Sequence, residues 1–190
     1  MKVFPVAVCA MAMVTRVVGG EGDAGLRAAP AVVVVAAPSV DTAMVARASV
    51  LVSSQLARPA LCRTDDRLTG WTNGPAAVAE LRRAGEDLVV AVVDPVGGEE
   101  ACTVVLSKEA RAALVNVSPL RDPAGGEGDA GLYEERVGRE VMRAFGMLAG
   151  LPPCPAPFCV MSPHRSLGDL DKKGRGFCPP CMLRAQGEMP

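Results

Sequence analysis

Aromatic residues are scarce: four Phe, one Tyr and one Trp in 190 positions. Their scarcity excludes a core built on large rings and removes the stacking platform on which single-stranded nucleic acid is usually held. Histidine is scarcer still, with His164 alone, so no site here draws several imidazoles from one chain. No sign of charge prevails either. The formal net charge is −1, so a basic footprint for nucleic acid is not expected. No apolar run reaches the roughly 18 to 20 residues of a membrane-spanning helix, so no span is expected.

Alanine and valine fill the space the aromatics leave, giving a core of many small side chains. The excess of Arg over Lys, with abundant Gly, Ala and Pro, reads as coding bias in GC-rich DNA. At the start, Lys2 precedes the run Val3 to Val14, which Pro5 interrupts and Arg16 follows closely. This is either a short secretory signal or an N-terminal extension or strand. Cytoplasmic residence is expected, with secretion the alternative if residues 1–20 are a signal.

Val32 to Val35 is a continuous β-branched run and reads as a buried strand. Pro38 and Ser39 open a helix, with Ser39 as the expected N-cap. Residues 59–64 read as a second strand and Asp65 to Gly74 as a loop. A helix is expected over 75–84, from Pro75 in its first turn to Gly85 at its end. Leu88 to Val93, Cys102 to Leu106 and Leu114 to Val117 follow as strands, the last two antiparallel. A longer helix spans 132–149, with Val137, Val141, Phe145 and Leu148 on one stripe. Glu135–Arg139 and Glu140–Arg143 are read as its surface ion pairs. The octapeptide GGEGDAGL, at 19–26 and again at 125–132, reads as a flexible loop in both places. The order of elements indicates an α/β fold with a mixed sheet and packed helices. Its expected divisions are residues 1–28 as an extension, 29–150 as the α/β domain and 151–185 as a cysteine-rich element.

Seven cysteines divide by spacing. Cys9, Cys62 and Cys102 stand alone; Cys62 and Cys102 read as buried thiols that pair only if the chain is exported. Cys154, Cys159, Cys178 and Cys181 form C-x4-C, eighteen residues, then C-x2-C. Two close pairs on separate turns supply the tetrahedral thiolates of a structural zinc site, with no position left for water. The alternatives are two disulfides or free thiols. Pro155, Pro157, Pro179 and Pro180 stiffen the turns that carry the sulfurs.

This tail resembles the archaemetzincins, a metzincin family of zinc metalloproteases. Their pattern, H-E-x-x-H-x-x-G-x-x-H-C-x4-C-x-M with a later C-x-x-C, is met here at Gly150, Cys154, Cys159, Met161, Cys178 and Cys181. Ser166, Leu167, Asp171, Lys173 and Phe177 also look like the family. Met161 would be the methionine of the turn beneath the metal. In that register the three metal-binding histidine positions hold Arg143, Met147 and Pro153, and the catalytic glutamate position holds Ala144. Arg143 is permanently cationic, Ala144 and Pro153 carry no donor atom, and Met147 offers a poor zinc ligand. A base alone contributes about 10²- to 10⁴-fold to such a reaction. The resemblance therefore implies a metzincin-like fold with one structural zinc, no catalytic zinc, and a non-catalytic role as a binding or scaffold module.

The strand at Leu114 to Val117 would be the sheet edge that meets an extended peptide partner. Arg143 is either a surface cation or fills the emptied position, pairing with Glu140 or a tail carboxylate, or taking an anionic group or a peptide C-terminus. Other readings are a zinc-dependent metallopeptidase with an atypical site, a zinc-ribbon-like nucleic-acid module around Lys172, Lys173 and Arg175, and a decayed gene. His164 is expected to be an exposed loop residue.

Overall fold

The computed structural model describes residues 31–68, 74–95, 103–122 and 129–187. Cys9, Cys102, the first octapeptide and the expected extension at 1–28 lie outside them. The chain runs β1 (Ala31–Ala36), α1 (Thr42–Leu56), β2 (Ala60–Thr64), α2 (Pro75–Ala79), β3 (Glu86–Val93), β4 (Val104–Ser107) and β5 (Ala112–Asn116). A single 3₁₀ turn at Ser118–Leu120 leads to α3 (Asp129–Leu148), α4 (Leu167–Asp171) and α5 (Pro179–Gly187).

The five strands lie in the order β2-β1-β3-β5-β4. β1 is parallel to β2 and β3, β3 is parallel to β5, and β4 alone runs antiparallel, against β5. Inner parallel strands covered on both faces need apolar residues at every position. Val32 to Val35 of β1 and Val89 to Val92 of β3 meet that demand and are fully buried. At roughly 1.5 kcal/mol or more per buried valine, these short runs anchor the sheet without rings. The outer strands β2 and β4 are only partly covered.

Helices α1 and α3 pack against each other, and α3 lies against β3, β4 and β5. The stripe on α3 holds, with Val137, Val141 and Phe145 fully buried. The tail joins the same core through Leu170, Phe177 and Cys181. Gln55 on α1 fastens it twice: its Oε1 accepts from the Phe177 amide at 2.9 Å, and its carbonyl accepts from Gln186 at 3.0 Å. No helix among the described residues is long and apolar enough to cross a membrane.

Several expectations are corrected. The cap of α1 is Asp41, whose carboxylate accepts from the Ala43 amide at 2.8 Å; Ser39 instead turns its hydroxyl to the Asp94 carbonyl. The helix expected over 75–84 stops at Ala79 and continues as turns to Gly85. Within the second octapeptide, residues 129–132 form the first turn of α3, not a loop. β5 is an inner strand held by β3 and β4, so among the described residues the outermost strand on that side is β4.

Candidate metal centre and the cleft beside it

The four tail cysteines converge. Their sulfurs all lie within 4.8 Å of one another, with Cys154 and Cys178 3.7 Å apart. A disulfide needs about 2.05 Å, and all four are free thiols. Zinc–sulfur bonds of about 2.3 Å in a tetrahedron place sulfurs about 3.8 Å apart, so the thiols fit a single zinc ion. Local hydrogen bonds set the geometry. The Cys154 amide donates to the Met161 carbonyl at 3.0 Å, the Cys159 amide to Ala156 at 3.0 Å, and the Val160 amide to Gly176 at 3.1 Å. The Cys178 amide points at the Cys159 sulfur, 3.4 Å away. Cys154, Cys159 and Cys181 are buried. Burial, reinforced by the neighbouring thiols, holds Cys181 well above the ordinary thiol value, which a bound cation would offset. Among the described residues this is the one convergent group of three or more cysteine, histidine or carboxylate donors.

α3 closes at Gly150, four residues before Cys154. The Gly150 amide donates to Met147 at 3.1 Å and the Leu151 amide to Gly146 at 2.9 Å, with Gly150 at φ +85°. That is the Schellman close of a helix, and the left-handed residue in it favours glycine. One turn earlier, a Cβ on Gly146 would lie 2.5 Å from the Met161 sulfur and 2.8 Å from the Phe177 ring. The methionine and the ring therefore pack flat against the helix backbone.

The side chains of Arg143, Ala144 and Pro153 offer no lone pair to a metal, and Met147 offers only a thioether. Ala144 is fully buried, Met147 packs partly covered against the core, and Pro153 is exposed. Arg143 turns inward, its Nη1 3.3 Å from the Glu140 carboxylate. These four residues do not fit a catalytic zinc.

The sequence predicts the pairing of Arg143 with Glu140, but not the burial of Glu140 or the approach of His164 and Lys173. Glu140 is 0% exposed, so its pair with Arg143 is a buried one, not a surface one. Its other oxygen has no hydrogen bond and faces His164 Nε2 at 3.6 Å. His164 is largely covered and not the exposed residue expected; its Nδ1 lies 2.8 Å from Lys173 Nζ. Lys173 also donates to the Ser162 carbonyl and is buried, so it adds nothing to a basic surface. With Lys173 donating to Nδ1, the His164 proton sits on Nε2 and faces Glu140. Burial lowers the His164 value below the ordinary one; Glu140 opposes this, and Lys173 and Arg143 add to it. Nδ1 is engaged by Lys173, while Nε2 faces the Glu140 carboxylate without a hydrogen bond. One sign was present in the sequence: Glu140 is three residues after Val137 and four before Ala144, a carboxylate on the buried stripe.

Other family-like residues have local work. Ser166 caps α4 by accepting from the Asp169 amide at 3.1 Å. Asp171 receives Arg136 through two bonds of 2.8 and 2.7 Å, which ties α4 to α3. Cys62 is a free thiol and only partly buried.

A family profile described as peptidase family M54 matches residues 104–186. An archaemetzincin of Methanopyrus kandleri is 38% identical over 101 residues, 53% of this chain and 51% of that protein. One from Aeropyrum pernix is 42% identical over 57 residues, 30% of this chain and 31% of that protein. The chain thus spans about half the length, or less, of these curated relatives. Among solved structures, the M. kandleri archaemetzincin superposes with a TM-score of 0.64 at 24% identity, covering 84% of this chain and 96% of that one. A zinc-dependent peptidase from Methanocorpusculum labreanum superposes with a TM-score of 0.66 at 19% identity, covering 81% and 99%. These structural likenesses speak to the fold.

Proposed function

The chain belongs to the archaemetzincin family, and on that premise we propose that it is a non-catalytic member, a zinc-stabilised binding or scaffold module. Cys154, Cys159, Cys178 and Cys181 would hold one zinc ion. With four sulfur ligands the ion supplies a cross-link and no activated water. Binding energy from such a site goes into ordering the chain around it, here a tail whose turns are set by proline.

One observation carries the absence of hydrolysis. At the family's metal positions stand a cation engaged with Glu140, a half-covered thioether and an exposed proline, and at its base position a buried methyl group. No three neutral donors meet there to hold an ion. The atypical-peptidase reading would need His164, whose two nitrogens face Lys173 and Glu140.

Elemental analysis of the purified protein tests this together with a quenched fluorogenic peptide. One zinc per chain and no chelator-sensitive cleavage is the expected result. Two zinc ions per chain, or cleavage that a chelator abolishes, would overturn the proposal.

A further inference from the structure

The chain's one histidine, His164, sits in the contact between α3 and the segment that joins the two cysteine pairs. Lysine has donors and no acceptor, so the 2.8 Å contact with Lys173 Nζ fixes Nδ1 as an unprotonated acceptor. Nε2 carries the ring's one proton and faces the buried Glu140 carboxylate at 3.6 Å. We infer that His164 makes this contact acid-sensitive: the neutral ring holds the 162–174 segment on α3, and a second proton on the ring releases it.

The geometry leaves that second proton no place. On Nδ1 it would point at an ammonium group 2.8 Å away. Lys173 is 5% exposed and is also anchored to the Ser162 carbonyl. Glu140, across the ring, attracts a charged imidazole, but Arg143 already holds its second oxygen at 3.3 Å. Asp169 of α4 adds a weaker attraction from an exposed position. Arg165, also exposed, lines the cleft of about 430 Å³ on which His164 borders. β4 and the 3₁₀ turn bring Val104, Pro119 and Leu120 to that cleft, none of which titrates. Among the described residues, Lys173 and Arg143 thus stand as two fixed cations against one buried carboxylate. Burial, the largest cause, together with these cations holds the ring below its usual value of about 6.5, with Glu140 and Asp169 opposing.

The proton has a route, since 14% of the imidazole side chain stays exposed. Once the segment lifts away, the ring returns to its usual value of about 6.5. A ring lowered by docking therefore favours the docked state fully above about 6.5. That advantage is lost as pH falls through this value toward the lowered one. The bonds that would open are on the page: Arg139 Nε donates to the Lys173 carbonyl at 3.1 Å, and Arg136 pairs with Asp171 at 2.7 Å. An ion held by the four sulfurs would fix both ends of the segment, at Cys159 and Cys178, so the opening is local. None of this depends on whether the chain cleaves peptides.

The test uses full-length, untagged, zinc-loaded protein carrying ¹⁵N-labelled histidine, so that one imidazole reports. Its nitrogen shifts are expected to give the Nε2–H form at neutral pH and a titration midpoint below about 6.5. Hydrogen exchange by mass spectrometry is then compared at about pH 7.5 and about pH 6, with rates corrected for the intrinsic effect of pH. Peptides within 162–174 should exchange roughly threefold faster at the lower pH, close to the limit for one proton taken up near 6.5. Those of β1 and β3 should not change. His164→Gln offers Lys173 a neutral acceptor and Glu140 an N–H, so it should stay docked and lose the pH response. An Nδ1–H ring or a midpoint at or above about 6.5 would overturn the inference, and neither reading needs a variant. So would equal exchange of 162–174 at both pH values, or a His164→Gln protein with the parent's response. Zinc content is measured on every sample. One ion per chain with no response from His164 defeats this inference alone, whereas two ions with cleavage defeat the non-catalytic reading alone.

Discussion

Gly146 and Gly138 stand on the same helix under opposite constraints. A methyl group at Gly138 meets nothing within 4 Å, whereas at Gly146 it meets the Met161 sulfur and the Phe177 ring. Alanine gains roughly 1 kcal/mol over glycine inside a helix, and forcing a methyl into a filled contact costs about 1–3 kcal/mol. Gly138→Ala should therefore raise the urea midpoint of the zinc-loaded protein and Gly146→Ala should lower it. Two variants moving the same way would show that Met161 and Phe177 yield freely. A second residue-scale effect belongs to Asp171. The hydrogen bonds from Arg136 hold its carboxyl below the ordinary range, with burial opposing them. A carboxyl lowered by folding stabilises the protein fully above its unfolded value of about 3.9, and the contribution is lost as pH falls through the lowered folded value. Arg136 is 3% exposed, so Asp171→Asn leaves a buried cation poorly matched, at a cost of about 3 kcal/mol near neutrality. Its urea midpoint should also vary less steeply as pH falls below about 4 than the parent's. A parallel pair of curves would remove Asp171 from the acid limb.

Elements were legible in the sequence wherever one physical cause dominates. The valine runs of β1 and β3 mark strands covered on both faces, and the structure puts them there. The stripe on α3 and its stop at Gly150 were equally plain, as was the antiparallel β4–β5 pair. Errors fell where neighbouring residues compete for one role. Ser39 and Asp41 both suit a cap, and the carboxylate took it. The second helix had a start signal but a single buried position, Val78, so it ended after five residues. Which strand lies outermost could not be read from order along the chain, because β5 inserts between β3 and β4. At the metal centre the four cysteines were fully visible, since C-x4-C and C-x2-C fix their spacing. Glu140 was visible as a partner of Arg143, but its contact with His164 and Lys173 was not, because α3 and the tail are far apart in sequence and only the docked tail brings them together.

At the scale of the whole molecule the tail is no separate bead. Leu170, Phe177 and Cys181 share one core with the sheet, and Arg136–Asp171 and Gln55–Phe177 cross between them. Structural zinc sites contribute about 10–16 kcal/mol of apparent binding energy near neutral pH. Stripping the ion should therefore lower the melting temperature markedly, and Cys178→Ser should do the same in zinc-replete buffer. Hydrogen exchange read by mass spectrometry should quicken across residues 154–187, while the amides of β1 and β3 keep most of their protection. Uniform loss across the chain would mean that the sheet cannot stand without the ion. Unchanged exchange would mean that the sulfurs hold nothing.

Gln55 gives the order of assembly a direction. Its two partners, Phe177 and Gln186, lie 122 and 131 positions downstream. At about 5–20 residues per second, a nascent chain would carry α1 for roughly 6 to 25 seconds before either partner is made. The strands precede both cysteine pairs, so an ion held by the four sulfurs would be captured only after every strand has been made. A cell short of zinc would accumulate chains with a finished sheet and an undocked end, and quality-control proteases would meet that end first.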